Sequence, residues 1–319
     1  MKQIKPVVAE METSPPPSSD TEIAIALSGV RKAYARGALP VLDGVDLTVL
    51  AGERIGLVGA NGSGKTTLLR LVMNFLTPDE GEIVVWGESS PEKARRFLGF
   101  VPEHQEGLEN FTPRELLSLA ARMYGMPRKE ALPRIEELLA FARLTDVADR
   151  LVAGFSKGMV QRLQIALALI HSPRVLLLDE PMSGLDPSGQ QEVGEMLFQL
   201  QDYTLIYASH HLEEIEAYCT AVVFLHRGQI IHKTDLQNLD QEILTIDVDR
   251  RAVEFLQHRE GIQLRLLHER EEKVRLEVSG SPSLLQSLLV ALADQGITVE
   301  RLRSRSVLEE LYQRYVVHR

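Results

Sequence analysis

Residues 54–76 read RIGLVGANGSGKTTLLRLVMNFL. RIGLVG is a short apolar run ending in glycine, the pattern of a buried strand. TTLLRLVMNFL carries apolar residues at helical spacing and predicts a helix over 66–76. Between them, Gly59 to Thr66 matches the phosphate-loop pattern G-x-x-x-x-G-K-[ST] in full. The small residues Gly59, Asn61, Gly62, Ser63 and Gly64 let backbone N–H groups turn inward around phosphate oxygens. The helix N-terminus, with Thr66 and Thr67 in its first turn, adds its dipole. Lys65 is in reach of the β- and γ-phosphates, and the Thr66 hydroxyl is placed to bind Mg²⁺. A glycine-rich turn with a chance lysine would not also carry the flanking strand and helix. The stretch points to a purine nucleoside triphosphate, Mg²⁺ and phosphoryl chemistry, and leaves open what the energy is used for.

Downstream, VLLLDE at Val175–Glu180 is a buried-strand run ending in two acids. An acid at the C-terminal end of a parallel strand lies at the ligand crevice of an α/β sheet. Asp179 is therefore placed to hold Mg²⁺, directly or through water. Glu180 is the natural general base for an attacking water. LIYAS at 205–209 reads as another buried strand. Strand–helix alternation of this kind implies an α/β fold with a mainly parallel sheet. Upstream, IAIAL, LDGVDLTVL and GEIVVW read as short strands separated by turn residues. Residues 104–171 read as mostly helical, with Thr112-Pro113-Arg114-Glu115 as a capping box and proline at the first helical position.

The remaining composition narrows the class. The chain has 319 residues, 35 Lys+Arg against 45 Asp+Glu and a net charge of −10, so a dedicated nucleic-acid partner is not expected. The one cysteine, Cys219, leaves no internal disulfide framework and fits a reducing compartment. No apolar run approaches the ~18 residues of a membrane span, and the N-terminus lacks a signal-peptide pattern. The expectation is a protein soluble by itself that would reach a membrane only by recruitment. Residues 1–20, with SPPPSSD, read as a flexible tail. Residues 241–319 read strand-helix-strand-strand-helix-strand and then a last helix, the order of a small α+β ferredoxin-like domain. In it Ser281 is placed as a helix cap, Gly296 as a stop, and Ser306…Glu309 as a second capping box. Arg301, Arg303 and Arg305 alternate on its last strand and share one face, read as solvated.

Four further segments, in order, resemble the ATP-binding cassette (ABC) family over about residues 22–240. Phe155-Ser156-Lys157-Gly158-Met159 resembles the family signature L-S-G-G-Q. Ser183-Gly184-Leu185-Asp186-Pro187 resembles the D-loop, and Ala208-Ser209-His210 the switch-histidine motif, continued by His211-Leu212-Glu213-Glu214; Tyr34, upstream, resembles the aromatic residue that stacks on adenine. The resemblance implies a cassette at 21–240, with an antiparallel β region beside the parallel sheet and a helical subdomain at about 104–171. It implies ATP and Mg²⁺ as ligands and a head-to-tail dimer that sandwiches two ATP molecules. Ser156 and Gly158 would then approach the γ-phosphate held by the partner's Lys65. His210 would contact the γ-phosphate, and Asp186 would sit at the dimer seam.

Two departures qualify the match. Gly99-Phe100-Val101-Pro102-Glu103 places Glu103 where the family has a Mg²⁺- and water-contacting glutamine, with Gln105 as the alternative if the loop register slips. Lys157 and Met159 replace a glycine and a glutamine of the signature. Such substitutions resemble the branch that pairs with separate export permeases of the ABC-2 type, as does the C-terminal domain, read as a bracing or regulatory appendage. The expected function is the ATP-hydrolysing subunit of a transporter. It would be peripheral at the cytoplasmic face and docked on a separate integral membrane permease through the groove between Glu103 and the helix from Thr112. A homodimer is favoured over pairing with a paralogous cassette, because both halves of the composite site look intact. The alternatives are a soluble cassette ATPase acting on a non-membrane assembly, and a nucleotide-dependent regulator without useful hydrolysis.

Overall fold

The computed structural model describes residues 22–35, 37–104, 106–239, 242–257, 259, 261–269 and 273–317. The tail expected at 1–20 and the alternative ligand Gln105 lie outside these residues. The chain divides into two compact units, 1–233 and 234–319.

In the first unit, β1 (Ile23–Lys32), β2 (Leu42–Leu50) and β3 (Arg54–Val58) precede α1 (Lys65–Val72) and β4 (Glu80–Val85). Next come α2 (Pro91–Ala94), β5 (Leu98–Val101), α3 (Pro113–Met123), α4 (Arg128–Phe141) and α5 (Lys157–Leu169). The unit continues through β6 (Val175–Asp179), α6 (Pro187–Gln199), β7 (Thr204–Ser209) and α7 (Leu212–Tyr218), and ends in β8 (Ala221–His226) and β9 (Gln229–Asp235). Strands β2, β1 and β4 form an antiparallel sheet in that order. A six-stranded sheet runs β5-β6-β7-β3-β8-β9, with parallel pairing from β5 through β8. Its central strands β3, β6 and β7 are buried at every residue. That is why they read as continuous apolar runs rather than alternating ones. The mainly parallel sheet, the antiparallel β region and the helices α3–α5 match the expected architecture.

Pairing of Val58 with Ser209 and of Asp179 with Ala208 aligns the C-terminal ends of β3, β7 and β6. Three loops that lie far apart in sequence therefore open at one edge. Thr112 caps α3 in a complete reciprocal box with Glu115, as expected. Helix α1 stops sooner than expected: regular helix ends at Val72, not Leu76. Asn74 takes a left-handed backbone (φ 55°). Its N–H donates to Leu71 O, and Phe75 N–H donates back to Arg70 O at 2.8 Å. Asparagine tolerates this terminating conformation, so the apolar periodicity overran the true stop. Cys219 is half-buried, and desolvation pushes its thiol up to about 12, which disfavours the reactive thiolate.

In the second unit, β10 (Glu242–Asp249), α8 (Arg251–Gln257), β11 (Gln263–Glu269), β12 (Lys273–Gly280), α9 (Pro282–Asp294), β13 (Val299–Ser306) and α10 (Val307–Tyr312) follow in order. The sheet runs β11-β12-β10-β13, antiparallel throughout, which is the expected ferredoxin-like arrangement. Leu244, Ile246, Val248, Leu276 and Val278 pack with Leu256, Leu285, Leu288 and Leu292 into its core. Ser281 occupies the N-cap of α9, but its hydroxyl caps no helix N–H. Ser306 does accept from Glu309 N–H, at 3.1 Å. Arg301 and Arg303 are exposed, whereas Arg305 is only half-exposed and its Nε is buried without a partner among the described residues.

Candidate functional site

The phosphate-loop segment leaves β3 and enters α1 through Gly64, whose φ of 110° only glycine adopts without strain. A Cβ on Gly59 would collide with Leu225 O and Ser63 Oγ. These glycines set how tightly the loop can turn. Lys65, 7% exposed, donates from Nζ to Gly59 O at 2.8 Å and lies 3.6 Å from Glu180 Oε1. The Ser63 hydroxyl is buried within the loop with no hydrogen-bond partner among the described residues.

A cleft of about 690 Å³ opens over this loop. Of the residues singled out in the sequence, Tyr34, Asn61, Gly62, Ser63, Gly64, Lys65, Thr66, Thr67, Glu103, Glu180 and His210 line it. Val41 also lines it and carried no sequence signal; Ser183, the first residue of the D-loop segment, lines it too. Tyr34 is 59% exposed and its hydroxyl lies 3.0 Å from Thr67 Oγ1, so one ring face stays open at the rim.

Behind the cleft, Thr66 Oγ1 donates to Asp179 Oδ1 at 3.2 Å. Asp179 is 2% exposed, and burial raises its carboxyl pKa; the Thr66 bond opposes the rise, while nearby Glu103 and Glu180 add to it. A cation beside these oxygens would relieve that cost. Among the described residues no three His, Cys, Asp or Glu side chains converge on a metal position. The donor set is therefore one hydroxyl and one carboxylate, with Glu103 at the cleft wall. That suits Mg²⁺, which keeps several waters and takes phosphate oxygens as its other ligands.

Glu180 follows β6 with a left-handed backbone, φ 47°, held by its N–H donating to Ala208 O at 2.9 Å. His210 Nδ1 lies 3.0 Å from both Glu180 oxygens. Behind them, Ser209 Oγ lies 3.3 Å from Glu180 Oε2 and 2.8 Å from Glu214 Oε2. Tyr207 donates to Glu214 Oε2 at 2.9 Å. Ser209 and Glu214 fall in the switch-histidine segment and its continuation, but the bonds that join Tyr207, Ser209, Glu214 and Glu180 had no sign in the sequence.

Ser156, Gly158 and Asp186 do not line the cleft. Ser156 caps α5 by accepting from Met159 N–H at 3.3 Å, and Asp186 caps α6 by accepting from Gly189 N–H at 3.0 Å. The two helix starts meet closely: a Cβ on Gly158 would lie 3.3 Å from Gly189 Cα. The signature and the start of α6 at Asp186 therefore form one surface outside the cleft lining, while Ser183, at the other end of the D-loop segment, reaches the cleft.

Comparison with known proteins supplies the context. The family model described as "ABC transporter" matches residues 42–183. The chain is 32% identical to an uncharacterized ABC transporter ATP-binding protein, YxlF, of Bacillus subtilis (strain 168), over 86% of this chain and 93% of that one. It is 39% identical to the Nod factor export ATP-binding protein I of Rhizobium meliloti (strain 1021), over 67% of this chain and 65% of that one. Its structure is similar, with a TM-score of 0.60 and 26% identity over 66% of this chain and 98% of the other, to a dimeric ATP-binding cassette in a post-hydrolysis state bound to ADP and Pi.

Proposed function

The chain belongs to the ABC transporter family as an ATP-hydrolysing subunit, and we propose that it works as a head-to-tail homodimer on a separate export permease. It binds ATP through the phosphate-loop cleft. Each composite site would take Lys65 and Glu180 from one copy and Ser156 and Gly158 from the other.

One observation carries this reading. The signature surface holds capped helix starts and close glycines but lies outside the cleft lining of its own chain. A serine hydroxyl and exposed N–H groups at a helix start suit a phosphate, and a second copy can bring them to the cleft. The dimeric cassette relative supports the same assembly.

Within a site, Lys65 would neutralise phosphate charge, and Thr66 and Asp179 would hold Mg²⁺, which supplies further charge neutralisation on the phosphate oxygens. Glu180 would accept the proton of the attacking water. His210 would steady the γ-phosphate, and Tyr34 would stack on adenine. Phe111, Met123 and Tyr124, exposed around α3, support permease docking on that side. Among the described residues no helix is long and apolar enough to cross a membrane. Placement at the cytoplasmic face would come from the permease. Export is favoured by the Nod factor export relative.

Mixing two inactive forms tests the assembly. Lys65→Ala and Ser156→Arg chains each lack turnover alone. A mixed dimer regains one intact composite site, so mixing restores ATPase activity; no restoration in verified mixed dimers rejects the head-to-tail arrangement. Co-purification from membranes with a stoichiometric polytopic protein tests the permease. Recovery only with soluble partners would favour a non-membrane assembly instead.

A further inference from the structure

Among the described residues two side chains, His210 and Ser209, hydrogen-bond to the Glu180 carboxylate beside its ion pair with Lys65, and they differ in freedom. His210 is 42% exposed at the cleft, whereas Ser209 is fully buried on β7. Ser209 Oγ carries a single proton. Its lone pairs already accept His211 N–H at 3.1 Å. Two carboxyl oxygens compete for that proton: Glu214 Oε2 at 2.8 Å and Glu180 Oε2 at 3.3 Å. A single proton can serve one of them at a time. Tyr207 is fully buried and donates to the same Glu214 oxygen, so Glu214 keeps a donor when Ser209 turns away.

We propose that Ser209 is a positioning residue for Glu180, with Glu214 and Tyr207 as the resting place of its proton. The inference rests on the reading of Glu180 as the base. While His210 holds both Glu180 oxygens, the serine proton stays with the nearer Glu214. Once His210 turns toward a phosphate in the cleft, Glu180 loses that donor. The Ser209 hydroxyl then rotates to Glu180 Oε2 and fixes the orientation of the carboxylate. Oε1, the oxygen nearer Lys65, stays free to accept a proton from water. No bond between heavy atoms forms or breaks; one hydrogen bond is exchanged for another. Glu214 Oε2 keeps its bond from the buried Tyr207 hydroxyl, so the exchange does not strip that oxygen of its donor.

The test is steady-state ATPase kinetics on the full-length chain, with melting temperature measured alongside. Ser209→Ala is expected to lower kcat at least about tenfold, the value of one hydrogen bond to a charged group, with KM for ATP within about twofold of the parent. Ser209→Thr keeps the hydroxyl and restores kcat. Glu214→Gln weakens the competing acceptor and leaves kcat at or above the parent. Undiminished kcat in Ser209→Ala, or a folded Ser209→Thr no better than Ser209→Ala, overturns the proposal. If Ser209→Ala does not fold, a tenfold fall in Glu214→Gln overturns it and an undiminished kcat supports it. Glu180→Gln separates the two levels. Turnover persisting in Glu180→Gln removes the base reading and this one with it. Turnover lost in Glu180→Gln but undiminished in Ser209→Ala removes the positioning role alone.

Discussion

His210 Nδ1 sits 3.0 Å from both carboxylate oxygens of Glu180, a two-way contact across the ends of neighbouring strands β6 and β7. The contact exists because Glu180 turns back with a φ of 47°, a conformation costly for a residue with a Cβ. Strain of this kind persists where surrounding bonds over-determine it, here the backbone bond to Ala208 O. The acid, the imidazole and Lys65 are thereby held on one wall of the cleft.

Removing the acid while keeping its shape separates binding from turnover. Glu180→Gln is expected to bind ATP with parental affinity and to lose at least about 100-fold in phosphate release, the low end for a general base. Lys65→Ala should instead lose binding, read by nucleotide titration. Near-parental turnover in Glu180→Gln contradicts the base assignment.

Loop geometry yields a second expectation. Gly59→Ala places a methyl against Leu225 O and Ser63 Oγ. The loop has to shift to admit it. Overpacking of this kind costs typically about 1–3 kcal/mol, so both the melting temperature and ATP affinity should fall. An unchanged ATP affinity would show that the loop does not need that approach.

Tyr34 makes one polar contact, through its hydroxyl to Thr67, and leaves its ring open at the rim. If the ring stacks on adenine, Tyr34→Phe should keep the KM for ATP within about twofold. Tyr34→Ala should raise it by about tenfold, the value of one aromatic stacking contact. Equal effects in the two variants would point to the hydroxyl instead.

A pH dependence of stability follows from His171. Its Nε2–H donates to Leu98 O at 2.9 Å, its ring stacks on Tyr124 at 3.8 Å, and its Nδ1 is buried without a partner among the described residues. Burial lowers its pKa from 6.5 to about 4, since a proton on Nδ1 would be a buried, unpaired charge. The folded-state value lies below the unfolded one. The stabilisation is therefore complete above pH 6.5 and is lost as pH falls from 6.5 through 4. Chemical denaturation across that window should show a loss that His171→Phe flattens. An equal loss in both chains would place the acid sensitivity elsewhere.

Much of the cleft was legible because its parts are contiguous. The phosphate loop, the acids after β6 and the histidine after β7 each sit within a few residues of a strand end, so local pattern located them. Asn74 was read through because apolar periodicity continued past it, and only the backbone bonds to Leu71 and Arg70 reveal the stop. Ser209 and Glu214 were legible as parts of the switch-histidine segment, but their bond was not, because a serine and a glutamate near a strand end are ordinary neighbours in a sequence. Their meaning depends on Glu180, which reaches them through the pairing of β6 with β7.

The sequence by itself marked the residues: a loop with the pattern of a phosphate cradle and two acids at the end of a buried strand. It also carried two residue periods, continuous apolar runs for buried parallel strands and alternation for antiparallel ones. Tertiary structure alone decided the order β6-β7-β3, and with it which loops share an edge. It also decided that Ser156 and Asp186 end as helix caps beside one another rather than in the cleft. The reason is physical: strand order and helix docking are set by burial among segments far apart in the chain, and no local pattern encodes which of them will meet.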